Sequence, residues 1–194
     1  MLLPGSRLID APVLGLQTGN ELARTTKPII DPATLTILAY ELEGQTLDNH
    51  PSLLRIADVR EFSDIGLIVD SSDEFVSPVD IIKLNEVYKL HFDIIHKPVL
   101  DERNRKLGKV IGYTINTASF AIQQLNIKRP LLKSFNDAEL LLHRSHITEI
   151  NDKAIIVHSE KQRIDPITQT VRGGNYVNPF RKSPQTEQQS SDQR

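Results

Sequence analysis

The chain has 194 residues, 39% of them hydrophobic and 25% charged, with a net charge of −2 and neither cysteine nor tryptophan. That length serves one domain or two small ones, and the composition is ordinary for a folded, water-soluble protein. The lack of cysteine excludes disulfides, thiolate catalysis and cysteine-ligated zinc, and no apolar run has the length of a bilayer span.

In chain order, the opening MLLPGSRLID lacks a basic region followed by an apolar run, so no secretory signal is read and a cytoplasmic location is expected. Residues 5–16 carry two short apolar clusters, Leu8-Ile9 and Val13-Leu14, broken by Pro12 and Gly15, which fit two short strands around a turn. Gly19-Asn20 and Asp31-Pro32-Ala33 are turn signals. Between them Lys27 to Ile30 predicts a short strand, and Thr34 to Leu42 predicts the clearest strand of the first half. A polar loop over 43–52 follows. Leu54 to Val59 and Ile65 to Val69 then predict a hairpin around 61–64. Ser77 as N-cap and Pro78 at the first helical position predict a helix over 78–89, with an apolar stripe through Val79, Ile82, Val87 and Leu90.

The second half reads most clearly from Pro98 to Ile127. Asp101 to Asn104 is a polar turn, Val110 to Ile115 a strand, Asn116 to Ser119 a four-residue hairpin loop, and Phe120 to Ile127 the returning strand. Gly108 marks a turn or bulge, and Gly112 a bulge or a close approach of another backbone. Both are expected at bends of a small closed barrel, where valine at either position costs about 1–3 kcal/mol through overpacking, at Gly108 if its φ is positive. His143 to Ser159 predicts a closing hairpin, and the polar stretch from 161 to 194 is expected to be disordered.

The two halves align. Ala33, Leu35, Ile37 and Leu42 superpose on Ala118, Phe120, Ile122 and Ile127 with a shift of 85, and Val59 and Val69 on Ile147 and Val157 with a shift of 88. An insertion in the intervening loop accounts for the difference. Duplication of one β unit is the favoured reading, with a single larger sheet built from both halves as the alternative.

The second unit resembles the PRC-barrel family, the small β-barrel shared by the photosynthetic reaction-centre H subunit and the C-terminal half of a bacterial ribosome-maturation factor. The resemblance rests on three pieces. One is a GxxVxDxxGxxLGxV-style opening, here Lys97 to Asp101 and then Lys106 to Val110. Another is the strand and loop answered by Phe120-Ala121-Ile122, and the last is the hairpin from His143 to Ser159. The first unit departs from it at Leu14 to Gly19. The expected architecture is therefore all-β: a first PRC-like barrel over 1–76, a helical linker over 77–89, a second barrel over 90–160 and a tail over 161–194. The resemblance implies a binding or assembly role and is silent on catalysis.

Candidate chemistry is sparse. His143 and His146 stand three apart, with His158 on the expected partner strand, but strand positions three apart face opposite sides, so hairpin histidines are favoured over a metal site. Asp58, Glu61 and Asp64, or Asp70, Asp73 and Glu74, lack the ligand alternation of a calcium loop. Gly108-Lys109 lacks the spacing of a phosphate loop. Neither a catalytic set nor a cofactor or metal site is read, and the chain is expected not to be an enzyme. Charge is the informative feature. Residues 1–76 carry 5 basic and 12 acidic side chains, residues 77–194 carry 18 and 13, and the stretch from Lys97 to Lys133 is locally +6. Arg103, Arg105, Lys106, Lys109, Lys128 and Arg129 form the candidate partner-binding patch. The expected function is a non-enzymatic protein-interaction or scaffold module; the alternative is an assembly factor associated with the ribosome or RNA.

Overall fold

The computed structural model describes residues 1–45, 47, 50–129 and 139–158. The chain is predominantly β, and residues 1–160 form one compact unit. In the first half the strands are β1 (Leu2–Pro4), β2 (Pro12–Gly15), β3 (Glu21–Asp31), β4 (Thr36–Glu43), β5 (Ser52–Arg55), β6 (Glu61–Ser63), β7 (Gly66–Val69) and β8 (Phe75–Val76). A single α-helix among the described residues, α1 (Ile82–Lys89), separates them from β9 (Pro98–Asp101), β10 (Lys106–Asn116), β11 (Ile122–Lys128), β12 (Glu139–His143), β13 (Ile147–Ile150) and β14 (Ile155–Val157).

Local chemistry explains the joints. Asp31 and Asn116, at the ends of the two long strands, each turn the chain by the same device. The Oδ1 of Asp31 accepts from the Ala33 N–H and that of Asn116 from the Ala118 N–H, both at 2.9 Å. Gly19 supplies the positive φ (69°) of the β2–β3 turn, and Asn104, with φ of 59°, does the same between β9 and β10. Asp80 accepts from the Ser77 N–H at 2.7 Å, but the turn at Pro78–Asp80 is a 3-10 turn. The predicted helix therefore becomes a 3-10 turn followed by α1.

Two sheets result, with strand orders β6-β7-β2-β3-β4-β5-β8 and β12-β11-β10-β9-β14-β13. Each contains an antiparallel run of four strands, β2 to β5 or β9 to β12. Each then returns through a hairpin whose last strand lies parallel to the first: β7 beside β2, and β14 beside β9. The turn predicted at 61–64 is displaced: Glu61–Ser63 form β6 and the chain turns at Asp64-Ile65 into β7, while the strand predicted from Leu54 to Val59 ends at Arg55 and passes into a 3-10 turn at Ile56–Asp58.

The closed barrels expected from the sequence are not found. Among the described residues no pairing joins the outermost strands of either sheet. β6 has 3 residues and β8 has 2, beside an 11-residue β3, so the edges are too short to close on each other. The C-terminal segment expected to be disordered lies outside the described residues.

The sheets interlock. β1 leaves the first half to pair with β10, setting Leu3 opposite Ile115. The tips of the two long hairpins meet, where the Ile37 N–H donates to the Phe120 carbonyl at 3.0 Å and the Ile122 N–H to the Leu35 carbonyl at 2.8 Å. Leu35 and Phe120 hold matching left-handed conformations, φ 50° and 51°. The Arg144 guanidinium adds bonds to the carbonyls of Thr34 (2.8 Å) and Ile122 (3.2 Å). One hydrophobic cluster runs through both sheets, with Leu8, Tyr40, Leu54 and Leu67 from one half and Ile94, Val110, Ile122 and Leu125 from the other. The outer face of the first sheet is covered by α1, whose Leu84 and Val87 pack on Ile29, Ala39 and Leu53.

Candidate functional site

The basic patch depends on the register of β9, β10 and β11. Lys109 and Lys128 stand directly opposite each other across β10 and β11. Lys106 and Lys109 are three apart, which on a regular strand puts them on opposite faces. A bulge between Lys106 and Gly108 inserts one residue and restores a common face. Lys106, Lys109, Lys128 and Arg129 consequently line one cleft of about 480 Å³, together with His96, Gly108 and Ile111. Among the described residues none of these four cations has a carboxylate partner.

Gly108 is what lets the cleft form. A Cβ there would lie 2.2 Å from the Lys128 carbonyl oxygen and 2.6 Å from Ile127 Cγ2. The requirement is close approach, since the positive φ considered for Gly108 is absent. Gly112, where β10 bulges again, has no such neighbour, the nearest atom to a built Cβ being 3.9 Å away on Asn126. Of the two readings for Gly112, the bulge holds and the close approach does not.

The other two candidates are drawn elsewhere. Asp101 is buried at 2% exposure, and its Oδ1 accepts from the backbone N–H groups of Arg103 (2.9 Å) and Arg105 (2.8 Å). Its Oδ2 accepts from the Arg105 guanidinium at 2.6 Å. Arg105 therefore spends its charge on the turn it belongs to, and Arg103 is not among the residues lining the cleft. Sequence order alone made all six look equivalent. His96 was missed. It enters the cleft because the chain takes a left-handed residue there (φ 65°) before β9, and nothing in its neighbours signals that.

Burial pushes the Asp101 carboxyl up, but the Arg105 N–H, the Arg105 guanidinium and the Arg103 N–H together outweigh it and hold the pKa below the ordinary carboxylate value. A depressed carboxylate adds stability that is complete above its unfolded pKa of about 3.9 and is lost as pH falls through the lower folded value. Thermal melts from pH 5 down to about pH 2 should therefore show the native chain losing more stability than Asp101→Asn over the same interval. Parallel pH profiles would show that Asp101 contributes no such linkage.

Of the histidines considered for a metal, His146 and His158 are neighbours across the ends of β13 and β14, the His158 N–H donating to the His146 carbonyl at 2.9 Å. His143 Nδ1 lies 2.8 Å from Ser145 Oγ, and His158 Nδ1 lies 2.6 Å from Glu102 Oε1. Among the described residues no group of three or more histidine or acidic side chains is placed to hold a metal ion, and no helix is long and apolar enough to cross a membrane. No protein-family model matches the chain, and no curated protein matches it.

Proposed function

We propose that the protein is a non-enzymatic binding and assembly module made of two PRC-like β units, and that it docks an acidic protein segment on the basic cleft of its second sheet. The observation that carries this reading is the set of four cations that have no carboxylate partner among the described residues, two of them directly opposed lysines. Like charges opposite one another destabilise a sheet, and an anionic partner would offset that cost. The common strand order of the two sheets and the resemblance of the second half support the PRC-like assignment. A cytoplasmic setting fits the same reading.

A ribosome- or RNA-associated role draws on the same charge. It ranks second because the described residues lining the cleft include no tyrosine, phenylalanine or tryptophan on which bases would stack. Fluorescence anisotropy with a labelled polyglutamate peptide and a labelled oligouridylate of matched charge separates the two. The acidic peptide is expected to bind more tightly, and the double variant Lys109→Ala/Lys128→Ala to weaken it by about an order of magnitude at low salt. Tighter binding of the oligouridylate would move the protein to the RNA reading, and binding of neither at low salt would reject both.

A further inference from the structure

A second cleft, of about 550 Å³, lies where the bulged segments of β3 and β10 come together. β3 shifts register between Thr25 and Pro28, β10 shifts between Val110 and Gly112, and both shifted stretches line the space. This cleft abuts the basic one. Ile111 lines both, and the sequence neighbours Ile95 and His96 part between them, Ile95 to the second cleft and His96 to the basic one. The ladder follows the same order. The paired Lys109 and Lys128 line the basic cleft, and the paired Gly112 and Asn126 line the second. On the reading of the basic cleft as a dock for an acidic segment, we infer that the two clefts form one continuous binding surface. The partner segment then carries an apolar side chain beside its acidic residues, and that side chain seats in the second cleft.

Apolarity, charge and spacing each point to that partner. The walls of the second cleft are supplied by Ile9, Ile30, Phe92, Ile95 and Ile111, and Ile9 and Ile111 are 41% and 38% exposed. A leucine-sized side chain laid against them removes apolar surface from water on both partners. Charge decides which part of a segment sits where. The basic cleft is lined by four cations and, among the described residues, by no carboxylate. The second is lined by one lysine, Lys27, and one aspartate, Asp93, whose charges cancel. An acidic residue therefore gains in the first cleft and only loses hydration in the second, which suits an uncharged apolar group. Spacing sets the pattern. Lys109 and Gly112 are three positions apart on β10, roughly 10 Å of extended chain. A segment laid along the ladder covers that distance in about three residues, so its apolar anchor stands about two or three positions from its acidic residues.

Fluorescence anisotropy with extended polyglutamate peptides tests the continuity. One labelled pair carries Ser-Leu-Leu or Ser-Ser-Ser at the C-terminus, and a second pair carries Leu-Leu-Ser or Ser-Ser-Ser at the N-terminus, so that both directions along the ladder are sampled. In one pair or both, the leucine peptide is expected to bind the native chain about tenfold more tightly than its serine counterpart. The double variant Ile9→Ser/Ile111→Ser should bring the two peptides of that pair to near-equal affinity, whereas Lys109→Ala/Lys128→Ala should weaken both. Both isoleucines are partly exposed, so their replacement opens little cavity. Melting temperatures are measured in parallel, and if the double isoleucine variant does not fold, Ile9→Ser alone takes its place. Equal affinities within both pairs for the native chain overturn the inference, as does a leucine gain that persists undiminished in the folded isoleucine variant. Either result leaves the acidic-segment reading of the basic cleft standing. Binding of none of the peptides at low salt rejects that reading and the inference with it.

Discussion

Gly108→Ala is expected to destabilise the protein by about 3 kcal/mol, the upper end of ordinary overpacking. For a chain of this size that is a fall in melting temperature of roughly 6–12 °C. The added Cβ would sit 2.2 Å from the Lys128 carbonyl oxygen and 2.9 Å from its carbon. These are backbone atoms of the neighbouring strand, so no rotamer change relieves the contact, and β10 must separate from β11 where Lys109 meets Lys128. Gly112→Ala makes the control. Its nearest contact is 3.9 Å, so its melting temperature should stay within about 1–2 °C of the native chain's. Equal shifts for the two variants would mean that the close approach at Gly108 does not govern the β10–β11 ladder. Loss of acidic-peptide binding in a folded Gly108→Ala variant would tie that approach to the basic cleft.

Ile122→Ala is expected to cost about 2–5 kcal/mol and to lower the stability of both sheets together. Ile122 is fully buried, and its side chain belongs to the cluster that also contains Leu35, Ile37 and Tyr40 of the first half. Its N–H donates to the Leu35 carbonyl, and its own carbonyl accepts from Arg144. A cavity at this point therefore faces both sheets. Amide exchange is the decisive measurement, because a shared core opens as one unit. Protection in β3 and β4 should drop by the same factor as in β10 and β11. A drop confined to β10 and β11 would show instead that the two halves unfold independently, as separate modules joined by a linker would.

Much of the fold was legible in short stretches of sequence because it rests on local chemistry. Asp31-Pro32-Ala33 and Asn116 to Ser119 announced turns, and in both the side-chain oxygen of the first residue bonds the N–H two residues on. Gly19-Asn20 announced a turn, and Gly19 supplies its positive φ. The run from Val110 to Ile115 announced a strand but not its faces: the bulge between Val110 and Gly112 buries Val110 with Tyr113 and Ile115 and leaves Ile111 exposed, and β10 extends from Lys106 to Asn116, further than that run. Its ends are set by partners, β9 at one end and β1 at the other. The helix start at Ser77-Pro78 was legible as a cap, but not as a 3-10 turn preceding α1.

The site was legible only as a count of charges. The sequence by itself determined that the second half is basic, that it is β-rich, and that its glycines mark irregular points. Which cations act together was decided by tertiary structure. One inserted residue at the Lys106–Gly108 bulge reverses the alternation of faces, so Lys106 joins Lys109 and Lys128 in one cleft. The buried Asp101 carboxylate withdraws Arg105 at the same time. The second cleft has the same origin, since two bulges distant in sequence meet only after the sheets pack. Local propensities act over a few residues, whereas bulge parity and the cross-bonding of Leu35 with Ile122 are settled by hydrogen-bond register between strands far apart in the chain.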